Sequence, residues 1–348
     1  MMIRLLTVAL GVLTLAPSGL AAPSSPPEAT AKKNRPAPQK HQGMVPFLTV
    51  GLNFSFSQSQ GVVGVPDGIA MALGLNLRTG LDFRRGPHRW SNLLLVQEAV
   101  TKVPGIEPFV KGTDLIEVTS EYSYRFSRPP WLSLYGGIRL RATLLEGNLI
   151  RSEETQLQLT NTHGAIFTDV LPAQHPYPLT EFLAPLLLTQ SAGAGVRALK
   201  HPAANLSFRA GVIAHEVVSQ GGYVVHDDKA TPNVLELIQL RDYAQGGVEA
   251  RMTLGGRVAD KLLGYQLGVR VMFPFATSVR TNLGYDRLIN VELSAALSIH
   301  IFSWATLEYS LTAMRMELLT PGWQVANLLM LNISLSVGHH RSVGGSTP

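Results

Sequence analysis

The chain has 348 residues, 45% of them hydrophobic and only 15% charged, with a formal net charge of +5 and no cysteine. Missing thiols exclude a lipid-anchored lipoprotein, a disulfide framework and zinc sites built on thiolate. Although the whole is apolar, past the N-terminus no single window is apolar enough for a membrane-spanning helix.

Met1-Met2-Ile3-Arg4 forms a short positive region, and Leu5 to Leu15 is apolar apart from Thr7, Gly11 and Thr14. Gly19-Leu20-Ala21 then supplies the small-x-small pattern that a signal peptidase cleaves. The apolar run is short beside the roughly 20 residues of a spanning helix. Residues 1–21 are therefore expected to be a cleaved export signal, cut after Ala21 because a cut after Ala22 would leave Pro23 directly behind it. Residues 22–43 change to Pro, Ala, Ser, Lys and Gln and read as a basic, disordered, partly polyproline linker. Lys32, Lys33, Arg35 and Lys40 against Glu28, together with Arg4, hold most of the net charge, so the chain from Met44 onward is close to neutral. A nucleic-acid partner is not expected, because that needs basic residues clustered on the folded domain. The linker reads as a solvated tether, or as a contact to anionic lipid or cell-wall polymer.

From residue 44 the organising period is two. Leu48, Val50, Leu52, Phe54 and Phe56 alternate with Thr49, Gly51, Asn53, Ser55 and Ser57; Ile289 to Ile301 repeats the pattern late in the chain. Strict alternation is strand, not helix. Such segments fall at 46–58, 69–84, 90–101, 113–127, 131–147, 184–200, 204–219, 242–258, 262–277, 287–302, 304–318 and 325–338. They are long for a soluble sandwich, whose strands run to about five or six residues, and suit tilted crossings of a bilayer.

The connections alternate between short ones (85–88, 127–130, 200–203, 259–261 and 303–304) and longer ones, above all 148–183 and 220–241. That matches the short periplasmic turns and long outward loops of an outer-membrane barrel. Trp90, Trp131 and Trp304 stand beside short turns, on one expected membrane edge, and Trp323 on the other, as interfacial aromatics do. The expected fold is all-β: a transmembrane antiparallel up-and-down β-barrel of about twelve strands over residues 44–338, in the cell outer membrane, followed by a polar C-terminal tail at 339–348. A soluble barrel or sandwich would have to leave the apolar stripes exposed or bury them in a second layer.

The stretches Trp90-Ser91-Asn92-Leu93 and Lys111-Gly112-Thr113-Asp114-Leu115-Ile116-Glu117 resemble an uncharacterised family, a domain of unknown function, of Gram-negative outer-membrane β-barrels. Ser120-Glu121-Tyr122-Ser123-Tyr124, Phe182-Leu183-Ala184-Pro185, Asp227-Asp228, and Arg241-Asp242-Tyr243 with Gly246-Gly247 resemble it too. The resemblance implies a barrel inserted by the outer-membrane assembly machinery and surrounded by outer-membrane lipids. One departure is the C-terminal end, which runs past Val337 into His339-His340-Arg341 rather than stopping at a terminal aromatic.

Charges avoid hydrocarbon, so alternation sends Arg78, Glu117, Glu121, Arg125, Arg139, Arg141, Arg209, His215, Glu249, Arg251, Arg270, Glu292, His300 and Glu308 to the lumen. Hairpin pairing puts Glu117 near Arg139 or Arg141, Glu249 near Arg270, and His300 near Glu308. These side chains either neutralise one another and fill the barrel or form a selectivity ring, since twelve strands lie between filled barrels and wide porins. No Gly-x-Ser-x-Gly and no phosphate loop is present, and His215-Glu216 and His226-Asp227-Asp228 read as solvated pairs. No catalytic residue, metal site or cofactor is therefore expected. A narrow channel or transport pore for small polar solutes ranks first. Second is a structural or interaction barrel that presents long loops to a surface or secretion partner, and a membrane enzyme ranks a distant third.

Overall fold

A computed structural model of the protein describes residues 43–59, 68–103, 106–226, 231, 234–259, 262–302 and 304–337. The expected signal sequence, the linker through residue 42, the Asp227-Asp228 pair and the tail at 339–348 lie outside the described residues. The elements in chain order are β1 (Gly43–Ser59), β2 (Gly68–Arg85), β3 (His88–Lys102), β4 (Val110–Arg125), β5 (Leu132–Ala142), β6 (Gly147–Leu149), β7 (Thr155–Thr160), β8 (Ile166–Leu171) and β9 (Tyr177–Thr180). Then come β10 (Leu186–His201), β11 (Ala204–Val218), β12 (Tyr223–Val225), β13 (Val234–Gln239), β14 (Tyr243–Val258), β15 (Leu263–Thr277), the single turn α1 (Tyr285–Leu288), β16 (Asn290–His300), β17 (Ala305–Met316) and β18 (Thr320–Val337).

Twelve of these strands close into one antiparallel barrel in the order β1-β2-β3-β4-β5-β10-β11-β14-β15-β16-β17-β18, with β18 returning to β1. The seam runs from Leu48 opposite Val337 to Phe54 opposite Leu331. Closure leaves the barrel sheet without a free edge, which a strand facing lipid must not have. Each segment of period-two alternation in the sequence coincides with one barrel strand.

One row of each strand faces outward and is apolar. Leu48, Val50, Leu52 and Phe54 on β1, Leu73 and Leu75 on β2, Ile138 on β5, Val212 on β11, and Leu293 and Leu297 on β16 are all exposed. The outer rows of β1, β5, β14, β15 and β16 contain no charged residue among the described side chains. Apolar patches of this extent are costly in water and stable against hydrocarbon. Trp90, Trp131 and Trp304 are exposed beside the short turns, and Trp323 is exposed at the other end.

The long connections depart from expectation. The described residues within 148–183 and 220–241 are not plain loops but fold together. β7, β8, β12 and β13 form a four-stranded sheet in the order β12-β13-β7-β8, in which β13 and β7 run parallel, and β6 pairs with β9. The cause is local burial: Leu149, Leu157, Leu159, Leu171, Leu179, Leu235 and Leu237 make a core of their own. The fifth strand ends at Ala142 rather than 147, where Asp114 accepts the main-chain N–H groups of Leu144 (2.5 Å) and Leu145 (2.7 Å) and turns the chain away. The last connection, 317–319, is short, because β18 begins at Thr320 and takes Trp323 into the strand opposite Arg315.

Candidate functional site

The site is the lumen, and the inner rows identify it by meeting across it. Arg209 on β11 pairs with Glu121 on β4 at 2.9 Å, and Tyr135 on β5 donates its hydroxyl to Glu249 on β14 at 2.9 Å. Strands so far apart in the ring touch only through the interior. The second contact depends on glycine: Tyr135, Gly193, Gly211 and Glu249 stand side by side on β5, β10, β11 and β14. With no side chain on the middle two, the tyrosine reaches over them to the carboxylate. Arg209 lies over its ring, 4.6 Å from the centroid, as a cation over an aromatic face.

One turn of the pleat away, Arg209, Arg251 and Arg270 stand abreast on β11, β14 and β15, each directly opposite the next. Like charges directly opposite on neighbouring strands destabilise a sheet. The outer two are compensated, Arg209 by Glu121, and Arg270 by Glu292 at 3.2 Å and Glu249 at 3.5 Å. The side chain of Arg251, between them, has no ion pair and no hydrogen bond among the described residues. Arg141 is paired with Glu117 at 3.0 Å, both side chains only 3% exposed. Arg139, on the same inner row of β5, has no such partner and lies in the electrostatic field of Arg270, Arg141, Glu292 and Glu117.

The remaining candidates also point inward. Arg78 lies 5.9 Å from the Phe47 ring centroid, and Glu308 accepts from Asn332 at 3.3 Å. Glu308 is opposite Ser298, whereas His300 is opposite Thr306, with its Nδ1 3.3 Å from the threonine hydroxyl. The register therefore separates His300 from Glu308. His215 is buried in the lumen against Thr189 at 2.9 Å while Glu216 faces outward, so the two cannot converge on one ion. Among the described residues no group of three His, Asp or Glu side chains is arranged to hold a metal.

Sequence reasoning missed the short-turn end. Arg84, Arg89, Arg197 and Arg257 continue the inner rows of β2, β3, β10 and β14 to that mouth and join Arg125 of β4. Carrying the period-two rows past the apolar band to the turns would have found them. At the opposite end apolar side chains meet across the lumen. Leu187 on β10, Val217 on β11, Tyr243 on β14, and Met314 and Met316 on β17 form one buried cluster with Val224, Leu240 and Leu319. β10 and β17 are five strands apart in the ring, so this cluster spans the mouth. Asp242 fastens the root of the β11–β14 excursion by accepting the N–H (2.6 Å) and hydroxyl (2.7 Å) of Ser219, and these bonds hold its carboxyl below the usual range.

No family model and no curated protein matches the chain. Among solved structures, an outer-membrane channel from Pseudomonas putida F1 is similar at 10% identity and a TM-score of 0.41, covering 88% of this chain and 100% of that one. The β-domain of the Bordetella autotransporter Brka is similar at 15% identity and a TM-score of 0.33, covering 84% and 98%. A mutant of the monoaromatic hydrocarbon channel TodX is similar at 8% identity and a TM-score of 0.36, covering 85% and 84%.

Proposed function

We propose that this chain is an outer-membrane β-barrel that passes small polar solutes through a narrow lumen and favours anions. The uncharged outer rows of β1, β5, β14, β15 and β16, the charged inner rows and the export signal expected from the sequence support the location. The row Arg209–Arg251–Arg270 carries the functional reading. Three cations abreast, the middle one without a partner, are an expensive arrangement for a wall that only needs filling. In a narrow, low-dielectric passage the same arrangement concentrates anions. The apolar cluster at the long-loop end makes the closed state the resting one.

Reversal potentials in planar bilayers under a salt gradient test this. Wild type should favour anions, and Arg251→Gln should shift the potential toward cations while leaving the barrel folded. A folded barrel that never conducts, even with its apolar seal disrupted, would sink the reading.

The free edge of β8 favours a second reading, an interaction barrel. β8 is the last strand of its sheet among the described residues, and Ile166, Phe167 and Val170 on it are exposed. Unpaired edges of this kind accept a strand from another chain. A photo-crosslinker at position 167 that captured no partner chain in intact cells would count against it.

A further inference from the structure

At the short-turn mouth the inner rows converge on four arginines. Arg84 and Arg89 stand opposite each other on β2 and β3, Arg125 ends β4 opposite Ser133, and Arg197 on β10 is opposite Ser207. Arg125 lies in the field of Arg89 and Arg84, and Arg197 in that of Arg125, Arg89 and Arg209. All four stand on inner rows at the short-turn ends of β2, β3, β4 and β10, and so face the same mouth. Asp82 supplies a carboxylate there, at 2.6 Å from Arg84 and 2.9 Å from Arg89. The side chains of Arg125 and Arg197 have no ion pair and no hydrogen bond among the described residues.

We propose that this ring is a binding site for a small multivalent oxyanion of the phosphate or pyrophosphate type, entering from the periplasmic side. Like charges held together in a partly dry mouth repel, and the charge of Arg125 and Arg197 is uncompensated among the described residues. A monovalent ion such as chloride would neutralise little of it. A phosphate group carries more charge and offers several acceptors in the geometry a guanidinium fork matches. Because the side chains point inward from the wall, the phosphates of bilayer lipids are out of reach and the ligand is a soluble one. The entry side rests on the outer-membrane reading with the short turns periplasmic, as the connection lengths predict, but binding itself does not depend on conduction.

The test is isothermal titration of the purified full-length barrel in detergent with sodium pyrophosphate, at ionic strength held constant with chloride. Wild type should bind saturably, and chloride titrated alone should give no saturable heat. The double variant Arg125→Gln/Arg197→Gln should bind about a hundredfold more weakly, tenfold or more for each guanidinium removed from the anion. Arg125→Lys/Arg197→Lys, which keeps the charge but loses the fork, should fall between. Arg151→Gln, at the opposite end, should bind like wild type. Wild type that takes up pyrophosphate no better than chloride overturns the proposal without any variant, and so does wild-type affinity in a double variant that still shows the heat-modifiable migration of a folded barrel. Pyrophosphate bound by a barrel that never conducts would remove the channel reading and keep this site. Anion conduction without pyrophosphate binding would do the reverse.

Discussion

Arg139 and Arg141 lie two residues apart on one inner row, and neutralising them singly should separate stability from selectivity. Arg141 donates through Nε (3.2 Å) and Nη2 (3.0 Å) to Oε2 of Glu117, in a site nearly closed to water. Arg141→Gln leaves that carboxylate without its partner, a change that costs about 3–5 kcal/mol for a buried pair. Two features favour the lower figure. Thr119 donates to the other carboxylate oxygen at 3.3 Å, and Arg139 acts on the same glutamate through space. The expected loss is therefore about 3 kcal/mol. Arg139→Gln removes a cation that is repelled by Arg270 and Arg141 and attracted by Glu292 and Glu117. Burial of the cation and the two arginines together outweigh the two glutamates, so Arg139→Gln should leave the barrel at least as stable as wild type.

Urea unfolding in lipid vesicles, followed by tryptophan fluorescence and by heat-modifiable migration, measures the two losses. The same preparations in planar bilayers measure ion preference. Arg139→Gln should shift the reversal potential toward cations in a barrel at least as stable as wild type, whereas Arg141→Gln should mainly unfold more easily. Equal stabilities for the two variants would mean that water solvates Glu117 and that the lumen is not the partly dry, paired interior inferred here.

On the lipid face, Leu293→Arg or Leu297→Arg should cost about 2–4 kcal/mol or block assembly, and Ser294→Arg on the inner row of the same strand should be milder. Equal tolerance in refolding assays would invert the inside-outside assignment. A cysteine placed at Thr162 should react with an impermeant maleimide on intact cells and one at Ser127 should not; the opposite pattern would reverse the orientation. The bonds from Ser219 stabilise ionised Asp242, so their contribution is complete above the unfolded carboxylate pKa of about 3.9 and disappears as pH falls through the lower folded value. Protection of the Ser219 amide from hydrogen exchange should hold at about pH 5 and fail only in stronger acid. Loss of protection nearer neutral pH would contradict that sign.

The barrel was legible because its two rows face solvents of opposite character. Hydrocarbon on one side and a polar lumen on the other impose period two on nearly every strand, as at Leu48–Phe56 and Ile289–Ile301. The folded excursions were not legible. Gln156, Leu157, Gln158 and Leu159 also alternate, but strands of three to six residues with a parallel pairing between β7 and β13 leave too short a signal. Charge pairs between adjacent strands, Glu117 with Arg141 and Glu249 with Arg270, followed from hairpin register. Pairs across the lumen did not, because joining Arg209 to Glu121, or Tyr135 to Glu249, needs the closed ring. The unpartnered state of Arg251 follows only in part from closure, which brings Glu121 to Arg209, while Glu292 and Glu249 on neighbouring strands are taken by Arg270.

The apolar seal allows conduction to be tested apart from ion preference. Leu240 is 3% exposed within the cluster that joins β10, β11 and β14 to β17, and its N–H donates to Gly222 at 2.7 Å. Leu240→Ala removes side-chain volume and leaves a small apolar cavity, which stays dry and costs about 2–5 kcal/mol. Leu240→Asp puts a carboxylate in the same place, and a buried charge without a partner must either be neutralised or draw water in. The wetted cluster no longer bars ions, since an apolar constriction closes a passage by excluding water. Leu240→Asp should therefore raise single-channel open probability well above both wild type and Leu240→Ala, while the anion preference set by Arg251 deeper in the lumen stays the same. If the aspartate variant remains folded and as silent as wild type, the cluster is not the barrier to conduction. Should its conductance instead lose the anion preference, the ions are not passing the arginine row.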